Sequence, residues 1–220
     1  DNLGWRREIV NLALREDAVD APAPLRHKPL MTDRPILIAV AGGSGSGKST
    51  LASALEARLP AGAVRLIIED DYYVDYWDDP AFDPATFDFD DVAAKDHALL
   101  AHQLSALKAG EAVSAPVYDF ETHRRKAEPQ IVTPARLIVV EGAHLLCTPV
   151  LAALFDLRIY VDTPSDVRFI RRLIRDQASR GRSADSVIQQ YLATVRPAHE
   201  RLIEPSRALA DIVIADDRGA

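Results

Sequence analysis

The chain contains one cysteine, Cys147, so no disulfide can form within it. It also lacks a positively charged start followed by an apolar stretch and a small-residue cleavage site. The two features together predict a reducing, cytoplasmic setting. Long apolar runs are missing too. Those present, such as residues 35–41 and 137–140, fall far short of the roughly 20 residues that cross a bilayer. An excess of positive charge is absent: the net charge is −7, which argues against nucleic acid or an anionic membrane as partner. Methionine occurs once, at Met31, just before the first strong strand pattern. Residues 1–34 are therefore expected to be an extension, with an amphipathic helix over residues 5–18 and an Ala-Pro linker at residues 21–24, outside a catalytic domain at residues 35–220.

What is present suits a single domain. Hydrophobic residues make up 48% of 220, enough for a sizeable core. Residues 35–41 (PILIAVA) read as a strand buried on both faces. A Gly/Ser loop and a helix over residues 48–59 follow, then a strand at 64–68. Residues 69–90 are acidic, aromatic and broken by proline, which predicts a long functional loop. A helix is expected over 92–108, with strands at 136–140 and 157–161. Further helices are expected at 164–178 and 184–203, the second kinked or interrupted by Pro197, and a last strand at 211–214. Strands alternating with helices predict an α/β fold with a mostly parallel sheet.

Charge is segregated. Residues 69–91 carry ten acidic side chains and no Lys or Arg, whereas residues 168–182 carry six arginines. This suits a site that holds a cation and hydroxyl groups on one side and phosphates on the other.

The most specific motif is Gly42-Gly43-Ser44-Gly45-Ser46-Gly47-Lys48-Ser49-Thr50, which satisfies GxxxxGK[ST] between a buried strand and a helix. Glycines let backbone N–H groups wrap phosphate oxygens, and the helix N-terminus adds partial positive charge. Lys48 is expected to reach the β- and γ-phosphates of ATP, and the Ser49 hydroxyl to ligate Mg²⁺. Glu141 ends a buried strand at its C-terminal edge, where α/β folds place their ligands.

Beyond this loop the chain resembles the uridine kinase family of P-loop kinases, over roughly residues 35–214. Glu69-Asp70-Asp71-Tyr72-Tyr73 is similar to the family's acidic-aromatic motif, and Phe89-Asp90 and Asp96-His97-Ala98-Leu99-Leu100 follow in order. Residues 116–125 (PVYDFETHRR) match the family's PVYDFxxHxR string. Val140-Glu141-Gly142, the arginines between 171 and 182, Gln190-Tyr191, Val195-Arg196-Pro197 and residues 210–214 complete the series. After the last strand the sequence departs from the family's Pro-Arg-Gly turn and helix, so the resemblance does not carry over that segment's adenine contacts.

The resemblance implies a P-loop NTPase fold with an arginine lid and transfer of phosphate from ATP to the 5′-hydroxyl of uridine or cytidine. It implies Asp70 as the general base and a Mg²⁺ contact; on bare chemistry Asp71 competes with it. Glu141 is implied as a metal or metal-water ligand. Asp90 is implied to hold the ribose hydroxyls. Tyr118, with Phe120 and Tyr73, would line the base pocket, and His123 would read the base edge. Arg172, Arg175, Arg180 and Arg182 match the lid arginines, and Gln190 a further nucleoside contact. Arg168 and Arg171 are expected at the surface. A tetramer is implied by the resemblance alone. Two other readings fit the motifs less well: a related P-loop kinase acting on another hydroxyl compound, and a nucleotide-binding regulator without turnover.

Overall fold

A computed structural model describes residues 34–84 and 86–216. The extension expected at residues 1–34 lies, apart from Arg34, outside the described residues. Five strands form one parallel sheet: β1 (Ile36–Ala41), β2 (Val64–Ile68), β7 (Leu137–Gly142), β8 (Leu157–Asp162) and β9 (Ile212–Ala215). Their order is β2-β7-β1-β8-β9. Two small antiparallel pairs, β3 (Val113–Ala115) with β6 (Gln130–Val132) and β4 (Tyr118–Asp119) with β5 (Arg124–Arg125), sit apart from it.

The apolar run of β1 is explained by its central place. Leu37, Ala39 and Ala41 join one buried cluster, with Leu100, Leu104 and Leu107 of helix α2 (His97–Lys108). Ile36, Ile38 and Val40 join the other, with Leu51 and Leu55 of α1 (Lys48–Ala57). Alternate side chains thus feed two cores, and no position of the strand is left for water. All five strands run the same way, so the loops after β1, β2, β7 and β8 gather at one edge of the sheet.

Two expected helices differ from the reading above. The segment predicted as one helix from residue 92 is a short 3₁₀ turn (Val92–Ala94), an extended Lys95 and then α2. Asp96 caps α2, its Oδ1 accepting from the Leu99 N–H at 2.9 Å. Lys95 instead pairs as an isolated antiparallel bridge with Tyr73. After a short helix α3 (Pro149–Ala152) and the long α4 (Ser165–Arg180), α5 (Ala184–Gln190) begins a helical run that does not stop at Pro197. Wide π turns at Tyr191–Val195 and His199–Ile203 flank the short α segment Arg196–Ala198. Proline has no N–H to give to the carbonyl four residues back, and the wider turns absorb the misfit without breaking the run.

Candidate active site

The phosphate loop follows β1, at the sheet edge where β7 and β8 also end. Gly45 has φ +82, and a Cβ there would lie 2.2 Å from the Arg168 carbonyl oxygen, so only glycine fits. Ser46 is wholly buried and its carbonyl accepts from the Thr163 hydroxyl at 2.9 Å, tying the loop to the end of β8. Ser44 Oγ accepts from Arg172 Nη1 at 2.9 Å. Gly42, Gly43 and Gly47 complete the cradle, and Thr50 is exposed in the first turn of α1.

The lysine of the loop faces an acidic group. Lys48 Nζ lies 3.9 Å from Glu141 Oε2, and the Ser49 hydroxyl donates to Glu141 Oε1 at 2.8 Å. Burial raises the Glu141 pKa against the pull of Lys48, and the nearby Asp70 charge raises it further. Ser49, Glu141 and Asp70 offer hydroxyl and carboxylate oxygens only, the donor chemistry hard divalent cations prefer.

Asp70 sits on the 3₁₀ turn Glu69–Tyr72 that leaves β2. It is ion-paired with the buried Lys95, while its own side chain stays 40% exposed. Burial pushes its pKa up, but Lys95, Lys48 and Arg180 outweigh this and hold the carboxyl well below its ordinary range. Asp71, the rival on chemistry alone, has a different employment: its Oδ1 accepts from the Tyr118 backbone N–H at 3.1 Å. It anchors the β4 strand against the turn.

The aromatic residues converge beside Asp70. The Tyr73 ring lies 5.0 Å from Tyr118, 5.7 Å from Phe89 and 6.4 Å from Phe120. His123 stacks on Phe89 with centroids 5.0 Å apart, from a left-handed backbone position at φ 56. Burial and the neighbouring Arg182 lower the His123 pKa, although Asp119 opposes them. Asp90 is half-buried and accepts from Thr194 Oγ1 at 2.8 Å, which ties it to the helical run after α5.

The lid arginines lie on α4 and the loop beyond it. Arg172 is buried and also donates to Gln190 Oε1 at 2.9 Å. Arg182 donates to the same oxygen, and its Nη2 donates to Ser186 Oγ at 2.9 Å. Gln190 thus holds two arginines through one carbonyl. The Arg180 guanidinium lies 4.9 Å over the Phe120 ring. Arg175 Nη2 lies 2.8 Å from Asp176 Oδ1.

Arg168 is a correction. It was expected at the surface but is 6% exposed, its Nε donating to the Thr163 carbonyl at 3.0 Å. A Cβ on Gly43 would lie 2.7 Å from Arg168 Nη1 and 2.9 Å from His199 Nδ1, so both side chains brace the phosphate loop from behind. Arg171 is partly exposed and pairs with Asp216 at 2.7 Å.

Sequence reasoning missed three residues. Asp176 is wholly buried among Arg172, Arg175, Arg180 and Arg182. Its signal was a lone acid inside an arginine run, at i±4 from Arg172 and Arg180. Lys95 is the first cation after the acidic stretch. Glu69, wholly buried, has a pKa lowered to about 2: burial raises it, but Lys95 and His97 prevail.

Among the described residues no helix is long and apolar enough to cross a membrane. The chain matches the phosphoribulokinase/uridine kinase family over residues 37–218. It is similar to the uridine kinases of Alkaliphilus metalliredigens (42% identity, 84% of this chain, 88% of that protein) and Clostridium tetani (45%, 84% and 89%). A solved structure from Bacillus stearothermophilus described as a possible uridine kinase aligns with a TM-score of 0.62 at 22% identity, covering 96% of this chain and 98% of that one. D-glycerate 3-kinase from Cryptococcus neoformans aligns at 0.57 and 16% identity, covering 80% and 81%. At these identities the solved structures speak for the P-loop kinase fold, and the sequence match goes further: this chain belongs to the phosphoribulokinase/uridine kinase family.

Proposed function

We propose that the protein transfers the γ-phosphoryl group of ATP to the 5′-hydroxyl of uridine and cytidine, giving UMP and CMP for pyrimidine salvage. The observation that carries this reading is Asp70, which lies within the electrostatic reach of Lys48 on the donor side and borders an aromatic pocket on the acceptor side. The names of the relatives support the choice of acceptor.

In this reading the acceptor oxygen attacks the γ-phosphorus as the bond to the bridging β-oxygen breaks. ADP leaves with that electron pair, and the hydroxyl proton ends on Asp70. The loop amides and Lys48 hold the phosphates, while Arg172, Arg175, Arg180 and Arg182 surround the migrating charge. Ser49, Glu141 and Asp70 would hold Mg²⁺, which when bound neutralises phosphate charge; two carboxylates and a hydroxyl suit an ion that keeps several waters. The test is ADP production from ATP with uridine, cytidine, adenosine, guanosine and glycerate. Turnover confined to the two pyrimidine ribosides is expected. Turnover on glycerate but on neither pyrimidine would sink the reading.

Asp90 gives a sugar preference. A carboxylate that already accepts from Thr194 has a second oxygen for a ribose hydroxyl. Uridine should exceed 2′-deoxyuridine in kcat/KM by about 5- to 150-fold, the equivalent of roughly 1–3 kcal/mol for an unpaired buried acceptor. Equal values for the two nucleosides would remove Asp90 from this role.

His123 gives tolerance at the base. Its lowered pKa keeps the imidazole neutral at pH 7, with one N–H donor and one bare nitrogen acceptor. It can therefore answer either the carbonyl of uracil or the amino group of cytosine. His123→Ala should lower kcat/KM for both nucleosides by about 10- to 100-fold, with KM for ATP near normal. A wild-type enzyme active on one of the two alone would refute the argument.

A further inference from the structure

Lys95 is a buried lysine between two carboxylates, placed where none was needed for the phosphate-loop chemistry. Its side chain is 2% exposed. The ammonium pairs with Asp70 Oδ1, lies 3.8 Å from Glu69 Oε2, and stands 4.1 Å over the Tyr73 ring. Burial disfavours its charge, but the two carboxylates and the Tyr73 ring outweigh this and raise its pKa.

Each neighbour of this ammonium is itself fixed. Glu69 has no exposed surface, accepts from the His144 backbone N–H at 3.0 Å and contacts His97 Nε2 at 2.8 Å. A Cβ on Gly142 would come within 2.3 Å of Glu69, so the β7 end presses directly on that carboxylate. The Lys95 backbone is held in the bridge to Tyr73, flanked by Val74 N–H to Ala94 O at 3.0 Å and Asp96 N–H to Tyr72 O at 2.8 Å. Arg125 closes the side of the bridge, donating to the Tyr73 carbonyl at 2.8 Å and pairing with Asp96 at 3.3 Å. The chain of support runs from the sheet through Glu69 and Lys95 and ends on one oxygen of Asp70.

We propose that Lys95 is a positioning residue for phosphoryl transfer: it engages Oδ1 of Asp70 and so presents Oδ2 to the acceptor hydroxyl. This rests on Asp70 being the base. Lys95 neither gains nor loses a proton in the step. It fixes the carboxylate plane, and a displacement of that plane by about 1 Å is enough to cost about 10²-fold in rate.

The test is a double-mutant cycle with saturating uridine and ATP. Lys95→Met should lower kcat by about 10- to 100-fold with KM for ATP within about twofold, because it disturbs the base and leaves the donor cradle alone. Lys95→Arg, which restores a cationic donor, should recover most of the loss. In the Asp70→Asn background Lys95→Met should cause little further loss, since the oriented group has gone. Thermal midpoints of all variants separate misfolding from mispositioning. If Lys95→Met does not fold, Lys95→Gln, which keeps an N–H donor without the charge, takes its place in the cycle. Normal kcat in Lys95→Met beside a crippled Asp70→Asn overturns the positioning role alone. An equal loss from Lys95→Met in both backgrounds overturns it too, because the lysine would then act independently of the carboxylate. Near-normal turnover in Asp70→Asn overturns the base assignment itself, and the proposal with it.

Discussion

Asp70→Asn should lower turnover on uridine by about 10²–10⁴-fold while ATP still binds normally. The substitution keeps the size of the side chain and removes its ability to take up a proton. The hydrogen bonds and ion pair that shape the loop do not run through it: Ser44, Ser46, Lys48 and Ser49 find their partners in Arg172, Thr163 and Glu141. Lys95 keeps Glu69 as a counter-charge in the variant, so the fold should survive. Asp71→Asn is the paired control. An asparagine oxygen can still accept from the Tyr118 N–H, so this variant should stay within about threefold of the wild type, the effect of one modest hydrogen bond. A coupled ADP assay and an ATP titration on both variants decide the matter. A crippled Asp71→Asn beside a near-normal Asp70→Asn would show that the base has been misassigned.

Asp176→Ala should be the most destabilising change in the lid. The carboxylate is wholly buried, with Arg172, Arg175, Arg180 and Arg182 at 3.6, 2.8, 3.7 and 3.7 Å. Removing the shared partner leaves like charges facing one another, one of them, Arg172, largely out of solvent. Breaking a buried ion pair from one side costs about 3–5 kcal/mol. For a domain of this size that is roughly 6–20 °C in thermal midpoint. Turnover should fall as well, by about 10²-fold, because the guanidinium groups lose the geometry that lets them meet a phosphate. Asp176→Asn, which keeps the acceptor oxygen but not the charge, should lie between. High salt should partly restore the midpoint of the alanine variant by screening the repulsion among the more exposed arginines. A midpoint of Asp176→Ala within about 2 °C of the wild type would mean that the four arginines hold their places without a common anchor.

The contrast between Asp70 and Asp176 marks what was legible before the structure. The phosphate loop could be read because its chemistry is local: glycines, a lysine and a hydroxyl in nine consecutive positions, between an apolar strand and a helix. Glu141 could be read because strand ends point one way in a parallel sheet. The order of strands and helices followed from apolar periodicity, and the two cores on either side of β1 are the reason that periodicity was continuous there. Lys95 could not be read. Its partners Glu69 and Asp70 lie about 25 positions away, and Ala93-Ala94-Lys95 looks like an ordinary start to a helix. Asp176 and Arg168 were obscure for a related reason. Sequence gives the sign of each charge, but burial decides which charges must be matched and which water can serve. Pro197 was read as a kink or interruption, and the regular α pattern is interrupted around it, by π turns that carry the helical run past the bond proline cannot make.

Those wider turns turn the last third of the chain into something like a vernier scale. One helical run presents Gln190 to Arg172 and Arg182, Thr194 to Asp90, and His199 to the back of Gly43. Arg207, just beyond it, reaches Asp162 at the end of β8 at 3.0 Å. An ordinary α-helix advances about 100° per residue, and each π turn slips that phase by accommodating one residue more. The two slips let lid, acceptor side and donor loop be met in turn by a single stiff rod. A one-residue insertion within Arg196–Ala198, where the turns are not widened to take it, would leave Gln190 in register while swinging His199 away by about 100°. Lid and cradle would each remain whole, set to different marks.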